Sequence, residues 1–84
     1  MHAATLRFSY PDVDRASVVA ESVTREAGDI AGDRTEVTVG RAGATVTVQV
    51  AASDLVALRA GANTWATLVE TAESAAARAA AWRA

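Results

Sequence analysis

Three polar side chains in the second half of this 84-residue chain are spaced as if to act together: Asp54, Arg59 and Asn63. They fall within Ala52-Ser53-Asp54-Leu55-Val56-Ala57-Leu58-Arg59-Ala60-Gly61-Ala62-Asn63-Thr64, a run otherwise mainly apolar and helical in spacing. Leaving such groups buried without partners costs about 1–3 kcal/mol each, so their place in an apolar pattern asks for a reason. Asp54 suits the cap of the helix that follows, accepting from backbone N–H groups two or three residues on. Arg59 and Asn63, four apart, share one side of that helix. A structural reading pairs Arg59 with a carboxylate and lets Asn63 satisfy loop or strand-end backbone. A functional reading brings Arg59 to a phosphate or to a partner's acidic group.

Catalysis of the usual kinds has little to draw on. There is no cysteine, which excludes a disulfide framework, a thiolate metal site and a thiol nucleophile. The single histidine is His2, at the N-terminus, where acid–base chemistry is poorly supported. Asp29, Asp33 and Glu36 could pair as carboxylates, but no His, Cys or Lys stands near them. Neither a Walker A loop nor a G-x-G-x-x-G fingerprint is present. No catalytic residue, metal ligand or cofactor is therefore expected.

Charge narrows the partners. All eight basic residues are arginine, and the net charge is −2. An autonomous nucleic-acid binder carries a basic balance, so stand-alone binding is disfavoured. No apolar run approaches the roughly 20 residues that span a bilayer. The opening Met1-His2-Ala3-Ala4-Thr5 lacks the charged and apolar regions of a secretory signal, and a cytoplasmic protein without membrane contact is the expectation.

The elements that must position these residues can be read from periodicity. Ala4, Leu6, Phe8 and Tyr10 alternate with Thr5, Arg7 and Ser9, as in a strand with one buried face. Pro11-Asp12 breaks it, with Asp12 a natural helix cap. From Val13 to about Ala27, the residues Ala16, Val19, Ala20, Val23 and Ala27 recur at helical spacing, and Gly28 offers a stop. Asp29 to Asp33 reads as loop, Arg34 to Val39 as a second strand and Ala44 to Ala51 as a third. Gly40-Arg41-Ala42-Gly43 joins the two, with both glycines free to take positive φ. The last helix starts near Ser53 or Asp54 and runs to about Trp82. Its final thirteen residues contain eight alanines, and Trp82 either anchors this tail or stands as an exposed apolar handle.

The order β-α-β-β-α describes a single α+β domain over residues 1–84, a two-layer sandwich. Its three-stranded antiparallel sheet has order 1-3-2, and two helices cover the face carrying Leu6, Phe8, Val37, Val46, Val48 and Val50. Thr5, Arg7, Thr38, Thr45, Thr47 and Gln49 make the other face polar, either open or paired with a second copy. Chains this short bury only about 60% of their unfolded surface. Much of the hydrophobic 51% is alanine, so the valines and Leu6, Phe8, Tyr10, Ile30, Leu55, Leu58, Trp65, Leu68 and Trp82 must build the core. Spare apolar surface, and hence an oligomer or an obligate partner, follows. On the last helix, Leu55, Leu58, Ala62, Trp65, Val69 and Ala72 form the core stripe. Beside it runs a row of mainly small residues: Ala57, Gly61, Thr64, Leu68, Thr71 and Ala75. Small residues admit a second helix, and Gly61 costs about 1 kcal/mol relative to Ala, so Ala57, Gly61, Thr64 and Leu68 are the candidate partner-binding row.

The sequence A-x-D-x-x-x-L-R-A-x-x-N-T, here Ala52, Asp54, Leu58, Arg59, Ala60, Asn63 and Thr64, resembles the signature of the Pcc (CTAG-related) family, small dimerisation subunits of the KEOPS complex. The opening Ala4-Thr5-Leu6-Arg7-Phe8, a first helix of matching length and the V-T-V-x-V strand before the motif support the resemblance over essentially the whole chain. Departures are Gly61 and Thr64 where serine is commoner, and Trp65 where an aliphatic residue is expected. The resemblance implies a non-catalytic homodimeric scaffold whose helices pack on the large, ATP-dependent, metal-containing catalytic subunit. That assembly makes threonylcarbamoyladenosine in tRNA, and tRNA is met only as part of the complex, with Arg7, Arg34 and Arg41 as possible contacts. A stand-alone RNA-binding module of the same α+β pattern is the competing reading. It lacks aromatic residues on the sheet for base stacking.

Overall fold

A computed structural model describes residues 1–30 and 35–83, apart from the side chains of residues 28–30 and 83. The elements are β1 (His2–Ser9), α1 (Val13–Ile30), β2 (Thr35–Ala42), β3 (Thr45–Ala52) and α2 (Leu55–Arg83). The sheet has order β1-β3-β2, every neighbour antiparallel, and both helices lie on one of its faces. This is the expected α+β arrangement.

Registers fix which residues share a face. Leu6 and Val39 flank Val48 across the two ladders, and Ala4 and Val37 flank Val50. β3 is the central strand, so its Val46, Val48 and Val50 are fully buried. Leu6, Phe8, Val37 and Val39 occupy edge strands and are only partly covered. α1 presents Ala16, Val19 and Val23 to this surface, while α2 presents Leu58, Trp65, Val69, Ala72 and Ala76. Every buried residue among those described is apolar.

Each helix begins on an aspartate. The Asp12 carboxylate accepts from the Arg15 N–H at 2.7 Å, and that of Asp54 accepts from the Ala57 N–H at 2.7 Å. These bonds satisfy donors that the first turn would otherwise leave open, worth about 1 kcal/mol apiece. The two-residue turn Gly43-Ala44 joins β2 and β3, and among the described residues Gly43 alone takes positive φ, at 60°. A glycine in the first central position suits the tight hairpins that follow strand twist.

Several expectations need correction. β2 extends through Gly40 to Ala42, so Gly40 is a strand residue paired with Thr47 rather than part of the turn. α1 passes Gly28 and ends at Ile30, so Asp29 is helical; Asp33 and Arg34 lie outside the described residues. Leu55 is 48% exposed because it sits in the first turn of α2, before the helix crosses the sheet. Trp82 is 90% exposed because α2 outruns its support. Twenty-nine residues at about 1.5 Å each make a helix near 43 Å, whereas eight-residue strands span about 26 Å. Beyond Ala76, α2 is exposed through Trp82.

Gly61 has a local explanation. A Cβ built there would meet Val50 Cγ1 at 3.1 Å and Thr35 Cγ2 at 3.5 Å, so α2 rests on its own sheet at this point. A second tie closes the far end of the sheet. The Tyr10 hydroxyl donates to Glu73 Oε1 at 2.7 Å, across 63 residues, and the Tyr10 N–H donates to the Ala44 carbonyl at 2.9 Å. Partial burial and then the Glu73 carboxylate raise the phenol's pKa well above its ordinary value.

Two measurements check these contacts. Gly61→Leu is expected to lower unfolding stability in urea by about 1–3 kcal/mol through overpacking. Gly61→Ala should stay within about 1 kcal/mol of the parent, since better helix propensity offsets the crowding. Equal stability of the Leu and Ala variants would mean that the close approach to Val50 is absent. For Tyr10 the folded-state pKa is raised, so its contribution is complete below the unfolded value near 10 and declines as pH rises beyond it. Tyr10→Phe should therefore reduce stability at neutral pH by about 0.5–1.5 kcal/mol and flatten the alkaline decline. A variant as pH-sensitive above pH 10 as the parent would contradict this assignment.

Candidate partner-binding surface

The motif residues separate once they are placed on the folded helix. Asp54 lies just after β3 ends at Ala52 and caps α2, so it sets where the helix begins. Leu58 is buried against the sheet. Arg59, Ala60, Asn63 and Thr64 are exposed on the side of α2 turned away from the core. Neither Arg59 nor Asn63 is therefore a buried polar group in need of rescue, and the puzzle posed by the apolar pattern dissolves. The Asn63 carbonyl accepts a second bond, from the Thr67 hydroxyl at 3.1 Å, and the Thr67 carbonyl accepts from Thr71 in the same way. Such back-bonds satisfy threonine hydroxyls on a solvent-facing helix side.

The small-residue row is split as well. Ala57 and Leu68 are partly buried against the core, and Gly61 faces Val50 and Thr35. A neighbouring helix is thus not what accounts for Gly61; the sheet of the same chain is. Thr64 and, further along, Thr71 and Ala75 remain on the surface.

Apolar groups that periodicity had not singled out now stand on the outer side of the helical layer. Val13 and Val18 on α1 are about half exposed, at 49% and 50%, and Val56 on α2 is 77% exposed. A signal for Val18 was available. The stripe Ala16-Val19-Val23 takes only one of the adjacent pair Val18-Val19, which leaves Val18 outward. The helices run antiparallel, so the start of α1, with Asp12 and Asp14, lies beside the end of α2 at Ala76, Ala79 and Ala80.

The opposite face of the sheet carries no helix. Thr5, Arg7, Thr38, Thr47 and Gln49 lie there, as expected from alternation. The two described arginines among the candidate contacts, Arg7 and Arg41, do not share a face. Arg7 pairs with Thr47 on this open face, whereas Arg41 is opposite Val46 on the helix side, its Nη1 donating to the Gly43 carbonyl at 3.0 Å. Arg34 lies outside the described residues. Among the described residues no group of three or more His, Asp or Glu could hold a metal ion, and no helix is long and apolar enough to cross a membrane.

Comparison with known proteins agrees with this architecture. No curated protein matches the chain. A chain of the solved binary complex Gon7-Pcc1 superposes with a TM-score of 0.77 over 88% of this chain and 90% of that one. At 17% identity that likeness establishes the fold. A family model described as "Transcription factor Pcc1" matches residues 3–77, from the first strand through the body of α2. The chain therefore belongs to the Pcc1 family.

Proposed function

We propose that this protein is a non-catalytic scaffold subunit of the KEOPS complex, acting as a homodimer and supporting synthesis of threonylcarbamoyladenosine in tRNA. The observation that carries the reading is family membership over nearly the whole chain, on a fold shared with one component of a two-protein complex. In support, the helical layer offers exposed apolar and small side chains, with Val56 and Thr64 on the outer side of α2. Those residues are the natural seat for helices of the large catalytic subunit. They replace Gly61 as the focus of the row Ala57, Gly61, Thr64 and Leu68, because Gly61 serves the protein's own core.

Direct nucleic-acid recognition is the second reading, and the family's descriptor invites it. The charge distribution disfavours it as an autonomous activity. Net charge is −2, and Arg7 and Arg41 lie on opposite faces of the sheet. Phosphate recognition needs basic groups concentrated on one surface.

Thr64→Arg should leave the fold intact and reduce co-purification of the large subunit by on the order of tenfold, about 1.4 kcal/mol. Thr5→Arg on the open face serves as the control and should bind as the parent does. Retained capture by the Thr64 variant, with loss in the control, would move the interface to the sheet. The isolated protein should bind tRNA no better than the non-specific range of about 10⁻⁴–10⁻⁶ M at physiological salt. A Kd in the nanomolar range by filter binding would favour the second reading.

A further inference from the structure

The end of α2 carries a feature that family membership does not absorb. The family match stops at residue 77, and the exposed Arg78 and Trp82 lie beyond it, Trp82 at 90%. The other tryptophan is 3% exposed, so a core that takes one indole leaves this one in water. Charge changes together with exposure. Residues 75–84 contain two arginines and no acid, whereas residues 1–74 hold the other six arginines and all ten carboxylates, a balance of −4. A locally cationic tail thus extends from an acidic body.

Helix geometry sets what this tail presents. Arg78 and Trp82, four residues apart, share one side of α2 and with Ala79 and Ala81 line an open groove of about 520 Å³. At 3.6 residues per turn they stand about 160° and 120° round the helix from Ala76. Ala76 is buried on the core side. Asp12 and Asp14, with Arg15 between the tail and α1, border the side marked by Ala76, Ala79 and Ala80. Going back from Arg78 by fours and threes, Ser74, Thr71 and Thr67 are exposed and uncharged. The cation and the ring therefore lie on a line of described residues that carries no carboxylate.

We infer that the Arg78–Trp82 side of the α2 tail is a contact for unpaired RNA, with a base stacked on the Trp82 indole and a backbone phosphate paired with Arg78. Stacking needs a flat π-face open to solvent, which Trp82 offers. One helical turn, about 5–6 Å between Cβ atoms, separates ring from cation, so a single nucleotide can meet both. A guanidinium is planar and binds phosphate oxygens in pairs. An acidic peptide matches Arg78 alone, whereas a nucleotide joins an anionic group to a flat ring and matches both side chains. Paired RNA keeps its base faces in the stack, so loops and ends are what the ring can reach. One ring beside so few cations makes a weak contact, in keeping with the net charge of −2, and it gains strength when other subunits hold the same strand. The contact deepens the scaffold reading and rests on it only for identifying the RNA as tRNA.

Fluorescence anisotropy of a labelled single-stranded RNA of about 12 nucleotides, titrated with the full chain at low salt, tests this. Trp82→Ala should weaken binding on the order of tenfold with an unaltered melting temperature, and Trp82→Phe should recover most of the loss, because the ring does the stacking. Arg78→Gln should lower the slope of log K against log salt by about 0.7, the value for one phosphate on a single strand. A strand of equal length without bases should bind the parent and Trp82→Ala alike. Unchanged RNA affinity in Trp82→Ala would overturn the proposal, as would a parent that binds no RNA even at low salt. Poly-glutamate binding as tightly as RNA, with the same dependence on Trp82, would overturn it in favour of an acidic protein partner. The scaffold reading stands or falls on large-subunit capture by Thr64→Arg, which these titrations do not read.

Discussion

Burial of β3 is the constraint on which the rest of the molecule depends. Among the described strands it alone has a neighbour on each side, and Val46, Val48 and Val50 form the floor on which both helices sit. The core is thus built from β-branched side chains on the sheet and from valine, alanine, Leu58 and Trp65 on the helices. Short side chains on both layers bring the helices close, and at Gly61 the approach leaves a Cβ only 3.1 Å from Val50 Cγ1. Apolar burial scales with area, at about 25 cal/mol per Å², so small side chains contribute only if packing is close. A glycine that weakens the helix locally is tolerated because it lets the layer close.

The polar residues organise around that floor. Asp12 and Asp54 start the two helices, and Asp54 does so two residues after β3 ends, which directs α2 back over the strand it has just left. Tyr10 ties the end of β1 both to the β2–β3 turn and to Glu73, late in α2. The long helix is thereby held at its start by a cap, in its middle by the valine floor and near its end by a phenol–carboxylate bond. Past Ala76 it continues as an exposed tail.

One-sided burial also shapes what the protein can do. With every described buried residue apolar, the polar side chains that are described lie at the surface or are only partly covered. The exposed residues that are described fall on three distinct surfaces: the outer side of the helices, the open threonine-bearing sheet face, and the overhanging tail of α2.

Much of this was legible in the sequence because periodicity is a local property. Alternation in Ala4–Tyr10 and Thr45–Val50, threefold and fourfold recurrence along both helices, and the two aspartate caps specify the elements and their inward faces. Strand order followed from one helical crossover and one hairpin. The motif from Asp54 to Thr64 identified the family, although its polar members sit on the outside of the helix. What the chain could not reveal locally was which neighbour each small or polar residue would meet. Gly61 looked like room for a foreign helix, and only the folded sheet placed Val50 against it. Arg7 and Arg41 looked equivalent, and only strand register put them on opposite faces. Tyr10 and Glu73 carry no joint signal across 63 residues. Side-chain periodicity reports the orientation of a residue within its own element; contact depends on where distant elements come to rest, and that is decided by tertiary packing.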